Sequence, residues 1–94
     1  MRISGIIWLE DILDKLERKH AVKQEEVKQV LASSPRFRFV EKGHRRGEDV
    51  YSAMGQTEAG RYLTIFFVLK KDNRALILSA RDMSSPERKR YGKK

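Results

Sequence analysis

Six side chains in this chain have types suited to moving charge and protons at a phosphodiester. Arg81, Arg61 and Lys19 are cations able to stabilise charge at phosphorus, and His20, Glu87 and Tyr91 are groups able to give or take a proton. Such a set, working without a metal, can cleave RNA. The ribose 2′-hydroxyl attacks the adjacent phosphorus, a base removes its proton, cations hold the developing charge, and an acid protonates the departing 5′-oxygen. DNA lacks the 2′-hydroxyl and would be spared. Missing residues narrow the chemistry further. There is no cysteine, which removes thiolate nucleophiles, disulfides and thiolate metal sites, and two histidines disfavour a multi-histidine metal centre. Phosphate-loop, dinucleotide-binding and serine-hydrolase motifs are absent. Carboxylates are few and none pair on an obvious strand, which disfavours two-metal nuclease chemistry. No metal and no cofactor are expected.

Each candidate also has a structural reading. Arg81 sits where a strand should end, and could clamp a phosphate or pair with Glu87 or Asp82. Glu87 lies three residues after Ser84, the spacing of a helix capping box, so a cap competes with a general base. Tyr91 either meets the nucleotide or seals the last helix onto the sheet. His20 either titrates near neutral pH or complements a helix C-terminus. Arg61 is expected to begin a central strand and to join Arg81 across the sheet. Lys19 reads as a phosphate contact or a solvated cation. Arg45, Arg46, Arg88 and Arg90 suit phosphate contacts that position RNA without reading its sequence.

The elements that must hold these groups follow from the length, charge and hydrophobic period of the chain. Ninety-four residues, 39% hydrophobic, make one domain spanning 1–94 with a small core. No stretch approaches a membrane span, and the start has too few apolar residues for a signal peptide, so a cytoplasmic protein is expected. The net charge is +8. Acids and bases cancel over residues 1–32, so residues 33–94 carry the whole excess, and polyanions are the natural partners.

Leu9, Ile12, Leu13 and Leu16 predict an amphipathic helix over 9–20, and Val27, Val30 and Leu31 a second over 24–32. From Arg36 the period becomes that of a strand. Strands are expected at 36–40, where basic and aromatic residues alternate, and at 50–54, 62–69 and 75–80, the last two as a hairpin. Residues 55–60 read as a loop, and the phenylalanines at 37, 39, 66 and 67 as core. A short helix follows from Ser84 to Tyr91, with 92–94 fraying. The fold class expected is α+β: two N-terminal helices, a four-stranded antiparallel sheet and a short C-terminal helix.

Several of these residues also carry a family likeness. Gly60-Arg61-Tyr62-Leu63, then Ser79-Ala80-Arg81-Asp82-Met83, then Glu87-Arg88-x-x-Tyr91 resembles the C-terminal signature of the BrnT-like toxins. Trp8, Lys19-His20-Ala21-Val22 and Glu25-Glu26-Val27 resemble that family's N-terminal half. The likeness runs from about Ile7 to Tyr91. It implies a RelE/ParE-like fold, a ribonuclease that stops translation by cutting mRNA, in some settings on the ribosome, and a BrnA-like antitoxin encoded beside it in a bacterium. This sequence departs from the pattern at Ala21, often a glycine in the family, and at Lys23, often a Ser/Thr cap. Two other readings stand beside the nuclease: a toxin of the same fold acting on gyrase, and an inactive RNA- or protein-binding module.

Overall fold

A computed structural model describes residues 1–92. In chain order its elements are β1 (Gly5–Ile7), α1 (Glu10–His20), α2 (Gln24–Ala32), β2 (Arg36–Glu41), β3 (Val50–Gln56), β4 (Tyr62–Leu69), β5 (Arg74–Asp82) and α3 (Ser85–Gly92). The sheet order is β1-β5-β4-β3-β2, with β1 parallel to β5 and the other pairs antiparallel. The expected four-stranded antiparallel sheet is therefore a five-stranded mixed sheet. The added strand, β1, is three residues long, too short to show a period of two in sequence. It is held by pairing Gly5, Ile6 and Ile7 with Arg74, Ala75 and Leu76, and by Ser4, whose N–H donates to the Asn73 carbonyl at 2.9 Å.

The helix spans agree closely with the hydrophobic period. Leu9, expected inside the first helix, instead precedes it and is exposed. Strand β3 runs on to Gln56, through residues expected to be loop, and β5 extends past both expected ends. Gly92, expected to fray, is instead helical, and Lys93 and Lys94 lie outside the described residues.

Helices α1 and α2 cover one face of the sheet, α1 over β5 and α2 over β3. Leu16, Val22, Val27 and Val30 meet Leu63, Ile65 and Phe67 of β4 and Ala75, Ile77 and Ala80 of β5 in one buried cluster. Helix α3 lies on the opposite face, through the contacts of Glu87 with Thr64 and of Tyr91 with Tyr62. Two of the four phenylalanines expected in the core are elsewhere: Phe39 is exposed, and Phe66 lies beneath Arg81 on the α3 side.

A bulge in β5 sets what faces where. Pairing steps from Phe66–Ser79 to Phe67–Ile77, which leaves Leu78 without a partner. Ala75 and Ile77 precede the bulge on the core face, and the extra residue shifts the alternation so that Ala80 also faces the core. Ser79 and Arg81 consequently turn toward α3, and Asp82 toward the helix pair.

Helix α1 ends on Ala21, whose φ of +51° is left-handed. Its N–H donates to the Glu17 carbonyl at 3.2 Å, and the next N–H, of Val22, to Leu16 at 3.2 Å, which delivers Val22 to the core. The Cβ of Ala21 is strained in that conformation, which glycine would adopt freely. Ala21→Gly should raise stability by about 1 kcal/mol, the relieved strain less the entropy gained by the unfolded glycine, read as a shift in urea midpoint at unchanged m-value. A second check concerns the bulge. Leu78→Ser, at an exposed position, should change stability by less than about 1 kcal/mol, and deleting Leu78 should preserve cooperative unfolding, because Ser79, Ala80 and Arg81 then follow Ile77 in regular alternation and keep their partners Phe66, Ile65 and Thr64.

Candidate functional site

The register of the sheet lines up two transverse rows on the face that α3 partly covers. Arg36 pairs with Met54, Met54 with Thr64, and Thr64 with Arg81. One step along, Arg38 pairs with Ser52, Ser52 with Phe66, and Phe66 with Ser79. Each row begins with an arginine on β2, and the first also ends with one, three strand spacings or roughly 14 Å away. Helix α3 lies over the first row. The second row forms the floor of a groove of about 260 Å³, lined by Arg38, Ser52, Phe66, Glu87 and Arg90 among others.

Arg81 and Glu87 are the closest ion pair on this face. Arg81 Nη1 donates to Glu87 Oε1 at 2.6 Å and Nη2 to Oε2 at 3.1 Å, a two-pronged contact that fixes the guanidinium plane. Arg81 also donates to the Asp82 carbonyl at 3.2 Å and stands 5.3 Å from the centre of the Phe66 ring. Glu87 is buried and accepts two further hydrogen bonds, from the Ser84 N–H at 2.8 Å and from the Thr64 hydroxyl at 3.1 Å. Its own N–H donates to Ser84 Oγ at 3.3 Å, which completes the capping box expected at the start of α3. One carboxylate thus caps the helix and anchors the arginine. Arg81 holds it well below the ordinary range, at about 2, with help from the Ser84 N–H and the Thr64 hydroxyl. The same contact raises Arg81. The Arg81 side chain is still 36% exposed and open to a ligand.

Around α3, arginines alternate with aromatic rings. The Arg88 guanidinium lies 3.6 Å from the centre of the Tyr62 ring, Tyr62 meets Tyr91 edge to face at 6.0 Å, and Arg36 lies 5.7 Å from the Tyr91 ring. Arg36 also donates to the Arg90 carbonyl at 3.2 Å, near the helix C-terminus. Tyr91 therefore does seal α3 to the sheet, and its hydroxyl makes no hydrogen bond among the described residues.

Arg61 does not join Arg81. The turn before β4, in which the Arg61 N–H donates to Thr57 Oγ1 at 3.0 Å, directs its side chain to the other face. There it donates to Asp82 at 2.7 Å, to the His20 carbonyl at 2.8 Å, to the Ala21 carbonyl at 2.7 Å, and to Glu26 at 3.2 Å. Asp82, chiefly through its hydrogen bond, raises Arg61, and Arg61 in turn lowers Asp82. Glu26 also accepts the Lys23 N–H at 3.0 Å, which supplies half of a capping box where no Ser or Thr is present. Arg61 is a clasp that joins the carbonyls ending α1, the first turn of α2 and the end of β5. His20 is half-buried at this clasp and Lys19 is exposed on α1.

Of the six residues expected to act on phosphate and protons, Arg81, Glu87 and Tyr91 share the α3 face, while Arg61, His20 and Lys19 lie on the helix-pair side. Arg88 and Arg90 flank the α3 face, but Arg45 and Arg46 are in the β2–β3 loop, at the far end of the sheet. Arg36, Arg38 and Ser52 belong to the site and were not among the candidates. The alternation Arg36-Phe37-Arg38 was the available signal, since it predicted a cationic face on that strand.

A family model described as the ribonuclease toxin BrnT of type II toxin–antitoxin systems matches residues 8–87. Comparison with the curated proteins finds no match. No helix among the described residues is long and apolar enough to cross a membrane.

Two stability measurements test these assignments. Glu87 has its pKa lowered from an ordinary 4.5 to about 2. Its contribution is thus complete above about pH 5 and is lost as pH falls toward 2. That loss should amount to roughly 3 kcal/mol in urea melts, and should be absent in Glu87→Gln. Arg61→Ala should cost about 2–3 kcal/mol, since it leaves two carboxylates and two carbonyls without their cation, with a matching drop in midpoint.

Proposed function

The chain belongs to the BrnT family of ribonuclease toxins of type II toxin–antitoxin systems, whose membership implies an antitoxin partner, and from that premise we propose that it cleaves mRNA in the groove beside α3 and so stops translation. The observation that carries this reading is the register that sets Arg38 and Arg81 on one face, where Arg38 and Arg90 line a groove floored by Ser52 and Phe66 and Arg81 adjoins it through Glu87 and Phe66.

The reaction is attack of a ribose 2′-hydroxyl on the adjacent phosphorus. The bond to the 5′-oxygen breaks, leaving a 2′,3′-cyclic phosphate on one fragment and a 5′-hydroxyl on the other. Arg81 stabilises the negative charge that grows on the phosphoryl oxygens. Its plane is already fixed by Glu87, so little reorganisation is needed at the transition state. Arg38 and Arg90 hold the flanking phosphates. Glu87 is ionised throughout the physiological range and already accepts four hydrogen bonds, so it orients Arg81, and the proton of the attacking 2′-hydroxyl passes to solvent water. Tyr91 is the candidate donor to the departing 5′-oxygen, because it shares the α3 face. Arg61 fastens the fold on the opposite side, where Lys19 and His20 also lie. The antitoxin is a BrnA-like protein encoded beside this chain in a bacterium, and it covers the basic groove in the cytoplasm.

The test is induction of wild type, Arg81→Ala, Arg81→Lys and Tyr91→Phe in a bacterium, with growth and transcript ends followed together. Wild type should arrest growth and leave cleaved transcripts with 5′-hydroxyl ends. Arg81→Ala should lower the cleavage rate by about 10²–10³-fold, and Arg81→Lys should restore little of it, since a point charge cannot reproduce the planar two-pronged contact. Intact transcripts from soluble wild type, with and without ribosomes, would refute the nuclease. Arrest with intact transcripts would redirect the search to a target such as gyrase.

A further inference from the structure

A second set of cations converges at the end of the sheet farthest from α3. The β2–β3 loop supplies Arg45 and Arg46, the β4–β5 turn supplies Lys70 and Lys71, and all four line one cavity of about 390 Å³. Arg74 also lines it but is taken up by Asp72, at 2.7 Å. The other four cations make no ion pair among the described residues, and Glu48 is the remaining acid in the lining.

The loops that carry these cations are fastened in place. The Gly43 N–H donates to the Asp49 carboxylate at 3.0 Å, and the Leu69 N–H, beside Lys70, donates to the Asp49 carbonyl at 3.1 Å. Gly47 has a φ of +76° and lies so close to the neighbouring turn that a Cβ on it would fall 2.7 Å from Lys71 Cγ. A glycine is therefore required for the two loops to close on each other, and their closure brings the four charges around one hollow.

No aromatic ring lines this cavity, so it offers nothing for a base to stack on. Guanidinium and ammonium groups without a stacking surface match the phosphodiester backbone. From Thr64, the partner of Arg81, to Lys70 is six residues along β4, roughly 20 Å. A stacked strand advances about 3.4 Å per nucleotide, so the two sites lie roughly six nucleotides apart.

We propose that Arg45, Arg46, Lys70 and Lys71 form a second phosphate-binding site, which holds the same RNA strand several nucleotides from the groove beside α3. The inference rests on the groove being an RNA site. It makes the affinity of the protein depend on RNA length: a strand too short to reach the hollow binds through the groove alone.

The experiment measures binding of 2′-O-methyl RNA of 4 and 16 nucleotides, which cannot undergo 2′-hydroxyl attack, across a salt series. The proteins are wild type, the triple variant Arg45→Ala/Arg46→Ala/Lys70→Ala, and Lys15→Ala/Arg18→Ala on the outer side of α1, each shown folded by its urea midpoint. Wild type should bind the longer strand more tightly and with a steeper salt dependence. The triple variant should lose that gain, its salt slope for the 16-mer falling by about two, at roughly 0.7 per phosphate contact. The α1 variant should keep the gain. A triple variant identical to wild type on both lengths would overturn the second site and leave the groove reading standing. Unchanged RNA binding with lost antitoxin binding would also overturn it and give the patch to the protein partner. Wild type that binds neither strand would overturn the groove reading as well.

Discussion

The unpaired Leu78 in β5 is the constraint on which the site depends. A strand alternates its side chains, so one inserted residue exchanges the faces of everything after it. Before the bulge, Ala75 and Ile77 close the core under α1. After it, Ala80 keeps that task while Arg81 turns to the α3 face and Asp82 to the helix-pair side. Small residues at 75 and 80 let α1 lie close to the sheet. The capping box of α3 then brings Glu87 back over Arg81 and Thr64. Helix start, strand end and arginine orientation are one linked arrangement.

Two arginines of similar chemistry diverge through what surrounds them. Arg61 and Arg81 each meet a carboxylate through two nitrogens. Arg61 is also spent on two carbonyls and a second carboxylate, which suits a clasp across three elements. It compensates the ending of α1 at a strained Ala21 and the start of α2 at a lysine. Arg81 donates to one carbonyl besides Glu87, and its neighbours Glu87 and Phe66 line a groove. Its carboxylate partner is buried and fully occupied, whereas Arg81 remains partly open.

The excess charge of residues 33–94 is divided between the two ends of the sheet. Arg36, Arg38, Arg88 and Arg90 surround α3, where aromatic rings lie between the guanidiniums. At the other end the cations stand without rings. The first arrangement can meet both bases and phosphates, and the second phosphates alone. A chain of 94 residues thus presents two surfaces of one sign separated by the length of a strand. An antitoxin that neutralises such a protein has a strong field to follow on approach.

The sequence by itself determined the elements with a clear period and the caps that begin them. The helix periods placed both N-terminal helices within a residue of their ends, the β-rich run at 62–69 was read with its bounds, and Ser84 with Glu87 announced α3, because these signals are local. The likeness carried by Arg61, Arg81 and Glu87 pointed to the family whose model matches residues 8–87, since residue identities alone suffice for that. Only the tertiary structure decided the fifth strand, the bulge and the partition of candidate residues between faces. Strand β1 exists through its pairing with β5, and three residues cannot declare that pairing alone. Arg61 and Arg81 read alike in one dimension, and the parity that separates them is set by one unpaired residue across from a neighbouring strand. Arg38 joined the site, and Arg45 and Arg46 left it, for the same reason: register between strands distant in sequence decides which charges meet.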